Sequence, residues 1–211
     1  MRFYGQFNPP VDQVLYERYF PDKRDGFFIE CGAYDGLLEC SCRFFEETMG
    51  WKGINIEASP RIFNRLVSNR PKSFLNVNVA LSNENGRAVF QDIVSPTGVA
   101  DGNGSLTHCL THKQEILNYG CGFNAVEIET IKYADLVKRH DVGEVNLMVL
   151  DVEGHEIQVI EGMIGAKTLP DIICVEFPFS GQDNIKQALG KLGYKMDFIS
   201  VINAFFLRGK G

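Results

Sequence analysis

Two strand-and-turn blocks stand close together near the start of this chain. Phe27-Phe28-Ile29-Glu30-Cys31 is an apolar run with strand character, and it enters the turn Gly32-Ala33-Tyr34-Asp35-Gly36. Trp51-Lys52-Gly53-Ile54-Asn55-Ile56 repeats the pattern and ends on Glu57-Ala58-Ser59-Pro60. Two buried strands joined by a helical crossover make a parallel βαβ unit. A glycine turn after the first strand, with an acid about 20 positions further on, is the layout of a nucleoside site at the strand ends. The simpler alternative is a βαβ unit whose glycines serve packing alone.

The charge of the turn says which nucleoside would suit it. A pyrophosphate-binding turn reads G-x-G-x-x-G and presents bare N–H groups to the phosphates. Here the turn reads Gly32-x-x-x-Gly36, without the middle glycine, and carries Asp35 with Glu30 just before it. Two carboxylates would repel a pyrophosphate, whereas they suit the ammonium and sulfonium of S-adenosylmethionine (SAM). An NAD-dependent oxidoreductase on a similar sheet is therefore the weaker reading.

The chain has 211 residues, 45% of them hydrophobic, which is enough for one well-buried α/β core. No apolar run approaches the roughly 20 residues of a membrane span. The N-terminus lacks the apolar stretch of a signal peptide, so a soluble, cytoplasmic protein with no membrane partner is expected. Net charge is −6, with no basic block, which disfavours a nucleic-acid partner. Of the six cysteines, only Cys109 and Cys121 stand near histidines, in His108-Cys109-x-x-His112 and beyond; this is not a regular zinc spacing, and free thiols are the simpler account.

Along the chain, residues 1–25 read as a leader with a helix over Val11–Phe20, and residues 26–211 as the main domain. Helices are expected at Leu38–Met49 and from Ser59-Pro60 to Asn69, the latter with serine as N-cap and proline at the first position. Strands follow at Phe74–Ala80 and Arg87–Ile93. Residues 95–125 are glycine-rich and polar, and read as a long irregular loop or lid. Beyond it come a strand at Ala125–Ile131, a helix near Lys132–Arg139, a buried strand at Val145–Leu150, another at Asp171–Phe177, a helix near Asp183–Leu192, and a closing hairpin over Tyr194–Val201 and Ala204–Arg208. Alternating strands and helices predict an α/β doubly wound sheet.

With these blocks placed, the chain resembles the FkbM family of SAM-dependent methyltransferases over about Gly26–Arg208. The resemblance is carried by Phe28–Gly36, by Gly50–Pro60, by Asn78-Val79-Ala80-Leu81-Ser82 with Gly86, and by Leu150-Asp151-Val152-Glu153-Gly154-His155-Glu156, which resembles the D-x-E-G-x-E signature. Gly104-Ser105-Leu106 looks like a short loop motif of the family. The resemblance implies a Rossmann-like class I methyltransferase fold: a seven-stranded, mostly parallel sheet with helices on both faces and its last strand antiparallel. It implies methyl transfer to a hydroxyl of a sugar or small secondary metabolite. Carried over by position, Glu30, Gly32, Ala33 and Gly36 would line the methionine half of SAM, with Tyr34 and Asp35 in the same turn. Glu57 beside Ala58 would hold the ribose, Val79, Ala80 and Leu81 would flank the adenine, and Asp151 and Glu153 would stand near the methionine amino group.

An alcohol acceptor needs a base or a metal, since its proton leaves as the new bond forms. Asp151 is the first candidate, with helix N-capping as its alternative role. His155 is chemically suited as a base near neutral pH, or is a surface helix histidine. Asp151 and Glu176 end consecutive strands and are candidates to share Mg²⁺. A scaffold that keeps the fold without turnover is the remaining alternative. Acceptor identity and oligomeric state are not legible in the sequence.

Overall fold

The computed structural model describes residues 1–98 and 100–209. Val99 of the expected loop, and Lys210 and Gly211 at the end of the expected domain, lie outside the described residues. Strands β1 (Phe27–Cys31), β2 (Lys52–Ile56) and β3 (Leu75–Val77) alternate with helices α2 (Arg43–Met49) and α3 (Pro60–Asn69), after a first helix α1 (Val11–Tyr19). A short β4 (Ala80–Leu81), β5 (Gly86–Val94), α4 (Leu110–Asn118) and β6 (Gly122–Ile131) come next, then α5 (Tyr133–Arg139) and β7 (Leu147–Leu150). The chain closes with α6 (Glu156–Glu161), β8 (Ile172–Glu176), α7 (Gln182–Lys191), β9 (Tyr194–Ser200) and β10 (Asn203–Arg208).

Seven strands form the main sheet in the order β3-β2-β1-β7-β8-β10-β9, parallel except for β10, which runs antiparallel to both neighbours. The expected seven-stranded architecture is thus present. Strand order reverses between β1 and β7, and open α/β sheets bind ligands in the crevice that such a reversal leaves at the carboxyl ends.

Strand alternation divides the core into two layers. Phe28 and Phe205 face one side, where they pack with Leu15 and Phe20 of the N-terminal segment and with Phe44, Phe45 and Trp51. Ile29 and Phe206 face the other, against Leu136, Val159, Ile185 and Leu189 of α5, α6 and α7. Each such side chain, fully buried, contributes about 1.5–3 kcal/mol. Among the described residues no helix is long and apolar enough to cross a membrane.

Three expectations about local structure need correction. The strand expected over Phe74–Ala80 is broken: Asn78 donates to the carbonyls of Glu57 (2.8 Å) and Ala58 (3.0 Å), and the chain then leaves the main sheet for a second one, ordered β4-β6-β5. The helix expected from Leu38 begins only at Arg43. Asp35 takes the N–H groups of Leu37 and Leu38, and Glu30 takes that of Cys42, so residues 37–42 form a tied turn. Finally, the expected irregular segment 95–125 contains α4 and the first residues of β6. Cys109 caps α4 by accepting from the N–H of His112, and the helix buries His112 and Ile116. With a histidine on its buried face, α4 has almost no apolar periodicity to betray it.

Candidate functional site

Sheet register alone assembles a line of functional side chains. Cys31 pairs with both Ile56 and Leu150, Leu150 pairs with Val175, and Glu176 pairs with Asn203. The next residue along each parallel strand therefore falls level, giving the row Glu57, Gly32, Asp151, Glu176, Asn203 across five adjacent strands. At about 4.8 Å per strand the row spans roughly 19 Å. All five residues border one cavity of about 450 Å³.

At the β1–β2 end the turn is held by backbone. The N–H groups of Gly32 and Ala33 both donate to the Ile56 carbonyl, at 3.1 and 3.0 Å. Gly32 has φ +88°, and a Cβ there would lie 1.9 Å from the carbonyl oxygen of Asp151. Glu57 is 8% exposed and accepts from Tyr34 N–H (3.0 Å) and Ser59 N–H (2.8 Å), leaving each oxygen a lone pair for a ligand. Burial pushes its carboxyl up to about 8 despite those two bonds. Ala33, Tyr34, Ala58, Val79, Ala80 and Leu81 complete this end.

Three expected site residues, Glu30, Asp35 and Gly36, stand behind the turn and do not border the cavity. Alternation along β1 points Glu30 away from the Cys31 side, where it accepts from Cys40 Sγ (3.1 Å) and Cys42 N–H (2.9 Å). Burial raises the Glu30 carboxyl above its ordinary range, opposed by the Arg70 charge. Asp35 accepts from Leu37 and Leu38, and Gly36 packs on Arg70 and Leu66. Their positions shape the loop that carries Cys40 and Ser41 to the cavity wall.

The segment 151–156 forms the middle of the floor. Asp151 contacts Glu176 carboxyl to carboxyl, a hydrogen bond that requires one retained proton. Burial and the neighbouring Glu176 charge hold Asp151 well above the usual carboxylate range, and burial raises Glu176 to about 7. Asp151 Oδ1 is buried and has no hydrogen-bond partner. Glu153 borders the cavity from a left-handed backbone, φ +58°, and its carboxyl lies 3.5 Å from His112 Nε2. Burial raises the Glu153 carboxyl well above its ordinary range and lowers His112 to about 4.

Sequence reasoning passed over Glu156 as a site residue. Its Oε1 accepts from the N–H groups of Val152 and Gly154, both at 3.1 Å, and its Oε2 accepts from the Ser180 hydroxyl. Glu156 thus folds the turn that presents Asp151 and Glu153. The available signal was its place as the last acid of the signature.

His155 borders the cavity with both ring nitrogens engaged, Nε2 with Ser82 Oγ (3.1 Å) and Nδ1 with Thr107 Oγ1 (2.8 Å). Burial lowers it from 6.5 to about 4. The unfolded chain therefore takes this proton first. His155 contributes stability that is present in full above pH 6.5 and is lost as pH falls through 4. The loss amounts to about 3 kcal/mol. Buried Glu57 acts oppositely, favouring the folded state at low pH and losing that contribution as pH rises through 8. In thermal melts, His155→Asn is expected to be less stable than wild type at pH 7 and nearly equal to it at pH 4. Parallel pH profiles would contradict this role.

A roof closes over the floor. Asp101 pairs with Arg61 (2.7 Å) and Arg65 (2.8 Å), one turn apart on α3. Ser105 donates to the Val152 carbonyl (3.1 Å), and His108 donates to the Asn103 carbonyl (2.6 Å). The His112 ring stacks on Phe179 with centroids 3.8 Å apart. Gly104 and Leu106 of the expected loop motif reach the cavity. Among the described residues no group of three or more His, Cys, Asp or Glu side chains is placed to hold a metal, so the Mg²⁺ expectation at Asp151 and Glu176 gains no support.

Comparison with known proteins gives this site its context. Hexuronic acid methyltransferase AglP of Haloferax volcanii is 31% identical over 157 residues, covering 73% of this chain and 56% of that protein. The solved structure of methyltransferase FkbM from Methylobacillus flagellatus matches with a TM-score of 0.53 at 12% identity, covering 93% of this chain and 47% of that one. A methyltransferase from Pyrococcus furiosus matches with a TM-score of 0.51 at 12% identity, covering 97% and 84%. At such identities the two structures speak to the fold alone, which is that of class I SAM methyltransferases. The chain spans about half the length of the first two of these relatives. The family model described as the methyltransferase FkbM domain matches residues 30–196, most of the chain, and the protein belongs to that family.

Proposed function

We propose that this domain is a SAM-dependent methyltransferase acting on a hydroxyl of a small, sugar-like acceptor. The observation that carries the reading is the row Glu57, Gly32, Asp151 at the strand-order reversal. It combines a carboxylate with spare lone pairs, a backbone that leaves no side chain in the way, and a buried carboxyl oxygen lacking a partner. These fit a nucleoside whose tail is an ammonium, and an acidic floor of this kind suits no pyrophosphate. Bound SAM supplies an electrophilic methyl on a sulfonium.

The remaining work falls to the chain. Glu57 accepts from the ribose hydroxyls, Val79, Ala80 and Leu81 pack on the base, and Asp151 Oδ1 takes the ammonium. The Asp151–Glu176 pair is the base, able to receive the acceptor's proton near neutral pH, while His155 braces the floor against the roof. The tied roof limits water at the reacting centre. A sugar acceptor is supported by the 31%-identical relative named for hexuronic acid. A cytoplasmic setting belongs to the same reading, and the buried, unbridged thiols of Cys31, Cys40, Cys42 and Cys174 agree with it.

Incubation with methyl-tritiated SAM and a panel of sugars tests the reading. Label is expected in a product whose methyl resists alkali, as an ether does. Label released by alkali would point to an ester instead, and no transfer to any hydroxylated acceptor would argue against turnover.

A further inference from the structure

Resting on the SAM reading above, we infer that Ser41, with Gln6 beside it, holds the α-carboxylate at the methionine end of the cofactor. SAM carries an ammonium and a carboxylate on one carbon, so a site that takes the first at Asp151 must meet the second close by. Among the described residues no lysine or arginine borders the cavity, and the floor beyond Asp151 is acidic, with Glu153 and Glu176. The carboxylate therefore needs neutral hydrogen-bond donors, placed off the floor.

The glycine turn does not supply them. The N–H groups of Gly32 and Ala33 donate to the Ile56 carbonyl, that of Tyr34 to Glu57, and that of Gly36 to the Ala33 carbonyl (3.1 Å). Leu37 and Leu38 both donate to Asp35. Ser41 follows this turn. It is 6% exposed, borders the cavity, and its hydroxyl has no hydrogen-bond partner among the described residues. Buried polar groups are hydrogen-bonded as a rule, and the occupant of the cavity is what remains to bond this one.

Ser41 is fixed from behind. Cys40 Sγ donates to Glu30 (3.1 Å) and accepts from Arg70 Nη1 (3.0 Å), and Cys42 N–H donates to Glu30 (2.9 Å), so both its neighbours are tied. Glu30 thus serves the methionine end as a positioning residue, without bordering the cavity. The tied segment lies beside Asp151, since the charge of Glu39 bears on both Asp151 and Glu176. Glu39 itself is exposed, and water screens it from the carboxylate.

Gln6 reaches the same cavity from outside the family match, which begins at residue 30. Phe3 packs on Phe44 with centroids 4.6 Å apart, and the Tyr4 hydroxyl donates to Glu47 (2.8 Å), which lays the segment along α2, the helix that follows Ser41. Buried Asp12 accepts from the N–H groups of Tyr4 (2.7 Å) and Gly5 (3.0 Å) and holds the bend that carries Gln6. The Gln6 side chain makes no hydrogen bond among the described residues, and its amide is a second neutral donor.

The test is calorimetric titration with S-adenosylhomocysteine, which keeps both charged groups, and with its decarboxylated analogue, which keeps only the ammonium. Ser41→Ala is expected to weaken S-adenosylhomocysteine about tenfold and the analogue by roughly twofold at most. The thermal midpoint of the ligand-free protein should not fall, because the hydroxyl bonds nothing there. Gln6→Ala is expected to discriminate between the two ligands in the same sense. Equal losses for both ligands, S-adenosylhomocysteine affinity indifferent to Ser41→Ala, or a lowered midpoint that gives Ser41 a structural role would each overturn the inference. Indifference to Gln6→Ala alone would remove Gln6 from it. Failure of wild type to bind S-adenosylhomocysteine would instead strike the SAM reading, and this inference with it.

Discussion

Gly32→Ala is expected to cost about 4 kcal/mol of stability and to lower the thermal midpoint by roughly 8–16 °C. Two effects add. The left-handed backbone at φ +88° disfavours a side chain by about 1–2 kcal/mol. The new Cβ would also lie 1.9 Å from the Asp151 carbonyl oxygen, a backbone atom fixed by the β1–β7 pairing. No rotamer relieves that contact, so β1 and β7 must part at the point where the cavity floor forms. Gly50→Ala is the control, because Gly50 shares the left-handed conformation at φ +73° but its Cβ would meet only the Asp25 side chain at 3.3 Å. About 1 kcal/mol is expected there. Equal losses in the two variants, read by circular dichroism melts, would show that strain alone matters and that the close approach does not.

Asp151→Asn is expected to leave the fold intact and to lower kcat/KM for methyl transfer by about 10³. The amide matches the carboxyl in shape but cannot receive a proton. The Asp151–Glu176 pair has its first proton to lose near neutral pH, from Glu176, which burial raises to about 7, while Asp151 keeps the proton they share. Wild-type rate should therefore rise with pH through about 7 and then level, since only the singly ionised pair is a base. The variant should be slow on both sides of that inflection, since an amide at position 151 cannot share the proton that the pair takes up. A variant that kept both the rate and the inflection would move the base elsewhere.

Much of the site was legible because its signals are local. The apolar run into Gly32, the Ser59-Pro60 helix start and the acid at the end of β2 each depend on a few neighbouring residues. Register then makes them converge. What the sequence concealed depends on distant partners. Glu30 belongs to a strand whose side chains alternate, and only the turn 37–42 packed behind it shows that its carboxyl serves Cys42 rather than the cavity. Asn78 ends β3 by reaching back to Glu57, 21 residues away. Helix α4 hides because His112, stacked on Phe179, does the work of an apolar residue. Glu156 reads as one more helix-opening acid until Ser180 and two backbone N–H groups are seen to converge on it.

The central claim is that Glu57 and the Gly32 turn hold the nucleoside of SAM. Calorimetric titration with S-adenosylhomocysteine, and with NADH in parallel, tests it on wild type and Glu57→Ala. One-site binding of S-adenosylhomocysteine alone is expected, weakened about 100-fold by the substitution, as befits two lost hydrogen bonds worth about 1–1.5 kcal/mol each. Melts of both proteins check that Glu57→Ala still folds. Tighter binding of NADH, or S-adenosylhomocysteine affinity indifferent to Glu57, would contradict the account.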